Sequence, residues 1–469
     1  MTVPFVVPES WVWGTLGDVV SRVEAGKSFT CLPRPAEDGE WGVIKVSAMT
    51  WGEFRATENK AVPEGAAVDS RFEIRPGDVL VSRANTEQYV GAPVLVGPCR
   101  PGLLLSDKSL RLVPAAGIDR TWLLYALSSP FVRHQISMQA SGQQDSMRNI
   151  SQKALLATPL PIPPRDEQRR IVAALEEKLS RLAEAERRVA SPMRRLPLLR
   201  SAIIGHMIRS SKASPRTLES LLLVKMINGK SVPTRAGGFP VLRLTALRDG
   251  RIDLDESKHG AWDAAAAAPF VVRGGDFLVS RGNGSLRLVG QGGLVPADPD
   301  PVAFPDTLIR VRTDPSQVRA EYLALVWNSR YVRRQIEASA RTTAGIFKIN
   351  QALMAKVEIP VPELSDQDDI LLRWQMADGG LRRLRAVVDS AARRAAALRL
   401  SLLTEAFAGR LVPQGDDDES AQELLARIRA ERKIAGPKQR TEGERARREL
   451  VAPPTRVTGD DYQQEALPL

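Results

Sequence analysis

Gly77-Asp78-Val79-Leu80-Val81-Ser82-Arg83-Ala84-Asn85 is answered 198 residues later by Gly275-Asp276-Phe277-Leu278-Val279-Ser280-Arg281-Gly282-Asn283. Further echoes flank this pair in the same order. Ser128-Ser129-Pro130-Phe131-Val132-Arg133-His134-Gln135-Ile136 matches Asn328-Ser329-Arg330-Tyr331-Val332-Arg333-Arg334-Gln335-Ile336 at a shift of 200. Pro161-Ile162-Pro163 with Glu167-Gln168 matches Pro360-Val361-Pro362 with Asp366-Gln367 at a shift of 199. Val43-Ile44-Lys45-Val46-Ser47-Ala48-Met49 and Val241-Leu242-Arg243-Leu244-Thr245-Ala246-Leu247 are a fainter pair. Matches in one order at a nearly constant offset describe a tandem duplication of a whole domain plus its connector, far longer than a solenoid repeat.

Around the quoted segment the chain reads as short strands broken by Gly and Pro. Trp41 to Met49, Asp78 to Arg83 and Leu103 to Val113 are the clearest, with Arg75-Pro76-Gly77-Asp78 as turn chemistry between them. Trp122 to Gln139 has a helical period through Leu123, Leu127, Phe131 and Ile136. Each repeat then passes through a Pro-rich elbow (Pro159 to Pro164 in the first) that cannot be helical. Asp166 and Glu167 follow, where a helix dipole favours negative charge. Leu175, Leu182, Val189 and Leu196 recur every seven residues in the first helix, and Trp374, Leu381 and Val388 do so in the second, with Leu384 three residues after Leu381. That is the seam of a coiled coil. Residues 165 to 209 would span on the order of 65 Å at 1.5 Å per residue, enough for a spacer. Pro192 and Pro197 should kink or break the first helix, and Gly379-Gly380 should weaken the second.

The fold class is therefore α+β: two strand-rich domains in tandem, each followed by a long helix, the two helices pairing. The expected boundaries are 1–163, 164–210, 211–362 and 363–412, with a short helix and a charged, disordered tail over 413–469.

Hydrophobic residues make up 43% of the 469, enough for real cores. Lys and Arg number 66 against 55 acids, a net charge of +11 with a pI near 9.9. This balance points to a polyanionic partner, nucleic acid before a membrane surface. Cys31 and Cys99 are the only cysteines, which fits a reducing cytoplasm. No apolar run approaches the ~18 residues of a membrane span, and the first residues lack signal-peptide character. A cytoplasmic, membrane-free protein is expected.

A reaction centre is not legible. Gly26-Lys27-Ser28 and Gly229-Lys230-Ser231 resemble the end of a phosphate loop, but Ser21 and Val224 stand where its first glycine is needed. Three histidines are too few and too scattered for a zinc site. No nucleophile elbow, no Asn-Pro-Pro-aromatic motif of an adenine methyltransferase and no Gly-rich cofactor loop is present. No catalytic, cofactor-binding or metal-ligating residue is expected in this chain.

Basic and amide residues, in contrast, recur at matched places. Lys45 answers Arg243, and Arg83 with Asn85 answers Arg281 with Asn283. Gln143, Gln144 and Arg148 precede the first elbow, as Arg341 and Lys348 precede the second. Arg and Lys hold phosphates and read guanine; Asn and Gln pair with adenine edges. Identical residues in both halves mark framework or backbone contact, and residues that differ are the better base readers. A scaffold that binds nucleic acid without sequence choice is the alternative.

On these motifs, and on Leu403-Thr404-Glu405-Ala406-Phe407-Ala408-Gly409-Arg410-Leu411-Val412-Pro413 with Leu424-Leu425-Ala426-Arg427-Ile428 beyond it, the chain resembles the specificity subunits of Type I restriction–modification systems over residues 10 to 435. The resemblance implies two target-recognition domains, each reading half of a split double-stranded DNA target, expected to be asymmetric from the differences between the two copies. It implies that the long helices pack antiparallel as a ruler between them. It further implies two modification subunits, which bind S-adenosylmethionine and methylate adenine, and motor-nuclease subunits that cut unmodified DNA.

Overall fold

The strand Val79–Ser82 is buried on both faces, and so is its counterpart Phe277–Ser280. Successive side chains of a strand point to opposite faces. Val79 and Val81 therefore enter one core with Leu110, Leu112 and Trp122, while Leu80 enters another with Ile44, Val94 and Leu103. Phe277 and Val279 join Ile309, Val311 and Trp327, while Leu278 joins Leu242, Val295 and Phe304. Each repeat thus builds a sheet sandwiched between two apolar layers.

The computed structural model describes residues 5–50, 52–142, 147–248, 250–297, 299–343, 346–415, 418–435 and 449–451. Its contacts gather into two compact units, Met1–Glu186 with Ala392–Leu469, and Arg187–Ala391. Each unit therefore holds one strand-rich portion and a part of both long helices, α1 (Arg165–Ser210) and α2 (Leu364–Phe407).

In unit 1 a four-stranded antiparallel sheet runs Val20–Ala25, Ser109–Pro114, Val79–Ser82, Pro93–Leu95. A three-stranded sheet places Gly42–Ile44 between Asn59–Ala61 and Leu103–Leu104. In unit 2 the corresponding sheet has six strands, in the order Leu222–Asn228, Leu308–Thr313, Phe277–Ser280, Gly292–Leu294, Arg251–Ile252, Leu247–Arg248. Thr234–Leu242 pairs with Ser257–Gly260. The turn before each central strand is the same: Gly77 and Gly275 have φ of +86° and +82°. The Asp78 and Asp276 amides bond back three residues to Arg75 and Arg273. A positive φ at that position is where glycine is favoured.

The elbows are short strands. Pro159–Ile162 pairs antiparallel with Val12–Thr15, and Glu358–Val361 with Ser214–Thr217. Two-stranded edges tolerate proline because the missing N–H faces outward. Gln168 is fully buried behind the first elbow. Its Nε2 donates to the Pro163 carbonyl (3.1 Å) and its Oε1 accepts from the Asp119 amide (3.1 Å). Gln367 does the same with Pro362 (2.9 Å) and the Arg319 amide (2.8 Å). The recurring Gln is a clamp that fixes where each long helix leaves its domain.

Several sequence expectations need correction. The helix expected over Trp122 to Gln139 is two helices, Arg120–Ser128 and Pro130–Gln139, because Ser129 precedes a proline and takes extended backbone (ψ 144°). The second repeat breaks at the same place without a proline, at Asn328 and Ser329. Pro192 and Pro197 do not break α1, which is continuous over 46 residues, and α2 is continuous over 44 through Gly379-Gly380. Each proline removes one ladder donor, but the turns on either side keep their own bonds and carry the helix through. The strand expected from Trp41 to Met49 ends at Ile44 and becomes a 3-10 turn, and that from Leu103 to Val113 is split by a turn at 105–108.

A third helix, α3 (Ala421–Ala435), packs on unit 1. Leu424, Leu425 and Ile428 join the core of Leu16 and Val19, and Ile434 stays exposed. Arg432 Nη2 lies 2.8–3.0 Å from the carbonyls of Gly17, Asp18 and Val20. Among the described residues no helix is long and apolar enough to cross a membrane.

Candidate nucleic-acid interface

Two strand pairs assemble most of the basic residues singled out in the sequence. In unit 1, Ala84–Asn85 pairs with Arg148–Asn149, setting Arg148 opposite Asn85. The Arg83 amide donates to the Lys108 carbonyl (2.8 Å), and the Arg83 carbonyl accepts from Ile150 (3.0 Å). In unit 2, Gly282–Asn283 pairs with Ile346–Lys348, which pairs in turn with Arg341–Thr343, so Lys348 stands opposite both Gly282 and Arg341. Arg281 is held likewise, by Thr307 (2.8 Å) and Ile349 (2.9 Å). The backbone of each arginine is thus pinned on both sides, while both guanidinium groups are exposed and make no hydrogen bond or ion pair among the described residues. Neither arginine pairs with an acid among the described residues.

The asparagines behave differently. Asn85 Oδ1 accepts from the Thr86 amide (2.8 Å) and its Nδ2 donates to Ser82 Oγ (3.2 Å). Asn283 Oδ1 accepts from the Ser285 amide (3.1 Å). These are Asx-type bonds that shape the loop. Lys45 and Arg243 occupy matched positions: their amides donate to the Glu58 and Glu256 carbonyls, both at 2.9 Å. Lys45 Nζ is 3.4 Å from Glu58, whereas Arg243 Nε donates to the Ser257 carbonyl (3.2 Å). The Ser47 hydroxyl at 2.7 Å, with Lys45, holds the Glu58 carboxyl below its usual range against the opposing effect of burial. Arg148 is half-buried and Lys348 exposed. Gln143 and Gln144 lie outside the described residues, as does the Arg341 side chain.

Sequence reasoning passed over Arg133 and Arg333, although both stand in the quoted echo. Arg133 Nη2 donates to the carbonyls of Gln88 (3.0 Å) and Val90 (2.8 Å), and Arg333 Nη1 to that of Val289 (2.7 Å). They tie down the loops that follow Arg83 and Arg281. Burial pulls the Arg133 guanidinium down to about 10, and Arg333 in the same direction.

The Gly-Lys-Ser segments open no helix. The next elements are strands, Gly42–Ile44 after the first and Thr234–Leu242 after the second, so neither supplies the helix N-terminus of a phosphate loop. Their glycines have another reason. A Cβ on Gly26 would lie 2.1 Å from the Ser106 carbonyl oxygen, and one on Gly229 2.2 Å from that of Phe304. Among the described residues no group of His, Cys, Asp and Glu is placed to hold a metal ion, and Cys31 and Cys99 are both free thiols.

No family model matches the sequence. Among curated proteins, the chain is 24% identical over 464 residues to the EcoKI Type I restriction enzyme specificity subunit of Escherichia coli K12, covering 92% of this chain and 97% of that one. The StySPI subunit of Salmonella potsdam is 24% identical over 462 residues, with the same coverage. The EcoEI subunit of Escherichia coli is 31% identical over 176 residues, so there the match spans only 30% of the relative and 37% of this chain. A chain from a solved structure of Type I restriction–modification assembly has the same fold, with a TM-score of 0.63, 20% identity, and coverage of 87% of this chain and 100% of that one. Over nearly its whole length the chain is thus similar to Type I restriction enzyme specificity subunits.

Both long helices contribute to each unit. In unit 1, Ile171 and Leu175 of α1 are buried with Leu403, Ala406 and Phe407 of α2, and Arg399 bonds Glu186 at 3.0 Å. In unit 2, Ile204 of α1 shares a core with Ile370 and Trp374 of α2, and the Arg200 guanidinium lies 5.0 Å from the Trp374 ring centroid. Leu175, Trp374 and Val388 are buried, and Leu182, Leu196 and Leu381 half-buried. Val189 and Leu384 depart from the expected seam, at 37% and 39% exposure. Positions seven apart drift by about 20° per heptad in an unsupercoiled helix, so a sequence seam does not stay on one face.

Proposed function

We infer that this chain is the DNA-recognition subunit of a Type I restriction–modification complex. It carries no active site of its own and directs partner subunits that methylate or cleave. Its two strand-rich portions (residues 1–163 and 211–362) each read one half of a bipartite, asymmetric double-stranded target, and α1 with α2 form an antiparallel coiled-coil spacer. Two modification subunits carrying S-adenosylmethionine, joined by restriction subunits, complete the assembly in the cytoplasm.

One observation carries this reading. The two units repeat the same pinned, outward-facing arginine on the same frame, while neighbouring residues differ: Ala84 against Gly282, Asn149 against Lys348, Arg148 against Phe347. A shared frame with different words around it suits two readers of different sequences. Two major-groove contacts on one DNA face stand about 34 Å apart, which leaves unread base pairs between them.

Co-expression with the partner methyltransferase followed by methylome sequencing tests it. The expected result is a motif of two short words separated by a gap. A continuous motif, no motif, or equal affinity for unrelated duplexes would support the non-specific scaffold instead. Replacing residues 214–362 by the corresponding segment of a relative should change one word only; a change in both would overturn the one-domain-per-word assignment.

A further inference from the structure

Unit 2 contains a cleft of ≈ 440 Å³ into which Lys230, Arg243 and Lys258 converge, with Ser231 and Thr307 beside them and Asp306 the one acid among its lining residues. Lys258 Nζ donates to the Val232 carbonyl (3.0 Å) and Arg243 Nε to that of Ser257 (3.2 Å), so each uses one donor internally and keeps the others. Lys230 is exposed and makes no side-chain bond among the described residues.

The same three positions are basic in unit 1. Lys27 answers Lys230 in the Gly-Lys-Ser segment: Gly26 donates to the Ser109 carbonyl, as Gly229 does to that of Leu308. Lys45 answers Arg243 through the matched bonds to Glu58 and Glu256. Lys60 answers Lys258, for Val43 faces Lys60 across its strand pair as Val241 faces Lys258. Three separate elements thus supply a cation in both copies, at sequence shifts of 203, 198 and 198. Like charges gathered with one acid oppose each other unless an anion joins them.

We propose that these residues form a phosphodiester grip in each unit, Lys27, Lys45 and Lys60 in the first and Lys230, Arg243 and Lys258 in the second. Each grip binds the DNA backbone without regard to sequence. The proposal rests on the DNA-recognition reading and assigns within it the residues that set affinity rather than the word read. Arg83 and Arg281 stand close by, because the Lys108 and Thr307 carbonyls that pin them belong to the turns on which Gly26 and Gly229 pack. The grip of unit 1 is the weaker, since Lys45 is partly neutralised by Glu58 at 3.4 Å.

The test uses the full chain in complex with its methyltransferase partner, and measures affinity for the methylated-motif duplex and an unrelated duplex across a salt series. K230A/K258A and K27A/K60A should each lower the slope of log K against log salt by about 2, roughly 1 per lysine. Both duplexes should weaken by the same factor, the methylated motif should stay unchanged, and K230R/K258R should retain the wild-type slope. An unchanged slope in both alanine variants, a loss confined to the motif duplex, or a changed base in the motif would overturn the grip. So would binding of ATP that is lost in K230A/K258A while the DNA slope stays the same. If the wild-type complex itself prefers no duplex, the recognition reading fails, and the slopes still decide the grip.

Discussion

Glu167 shows how one residue of a repeated motif can take on a separate burden. It is fully buried, and its oxygens accept from Trp11 Nε1 (2.8 Å) and Gln414 Nε2 (2.7 Å). Burial nevertheless prevails over these bonds and over nearby Arg170, and pushes the carboxyl above its usual range. A carboxyl raised on folding gives stability that is present below its unfolded value and lost as pH rises through the folded one. Glu167→Gln should therefore remove a decline in stability that the wild type shows as pH climbs from about 4 through the raised value of Glu167. Urea midpoints at a series of pH values would show it; parallel curves for the two proteins would contradict it. Asp366, the counterpart in the second repeat, is exposed. The motif was legible as a helix start, but the burial was not, because it is made by Trp11 and Gln414, 156 and 247 residues away.

At the scale of the element, the long helices were legible and their continuity was not. Heptad spacing located both, while Pro192, Pro197 and Gly379-Gly380 argued for interruption. Neither glycine has positive φ, and a Cβ on Gly379 would meet nothing nearer than Arg383 Nη1 at 3.6 Å, one on Gly380 nothing nearer than Arg383 Nη2 at 4.0 Å. Alanine at either position should therefore stabilise α2 by up to about 1 kcal/mol, the difference in helix propensity. Slower hydrogen exchange over residues 374–388 would report this, and unchanged or faster exchange would contradict it. The strands were placed correctly at their centres, Val79–Ser82 and Phe277–Ser280. Their neighbours were overextended, since the turn at 105–108 is closed by Ser109 bonding back to the Ser106 carbonyl and is packed by Gly26, which approaches from a distant segment.

At the scale of the whole molecule, the compact units cut across the repeats: each takes part of both long helices, and unit 1 also takes α3. Deleting residues 421–435 takes Leu424, Leu425 and Ile428 out of the core, uncovers Leu16 and Val19, and removes the Arg432 bonds to Gly17, Asp18 and Val20. Three buried aliphatic side chains at 1.5–3 kcal/mol each make this a loss of roughly 5 kcal/mol or more, confined to unit 1. A melt of the truncated chain should show unit 1 unfolding first, with exchange rising at residues 16–20 and unchanged at 218–222. A single shifted transition would mean that the units unfold as one.

Periodicity, turn chemistry and charge are local or recur at a fixed offset, so the duplication, the strand-rich and helical portions and the basic character of the matched positions are legible in the residues alone. The same residues also carry the family resemblance. Only the tertiary structure decided what those positions do. It placed Arg83 and Arg281 outward on pinned backbone, spent Asn85 and Asn283 on their own loops, and drew Lys230, Arg243 and Lys258 into one cleft from three separate elements. A cluster of cations exists only where strands far apart in sequence pack side by side, and that depends on register and burial that no single segment contains.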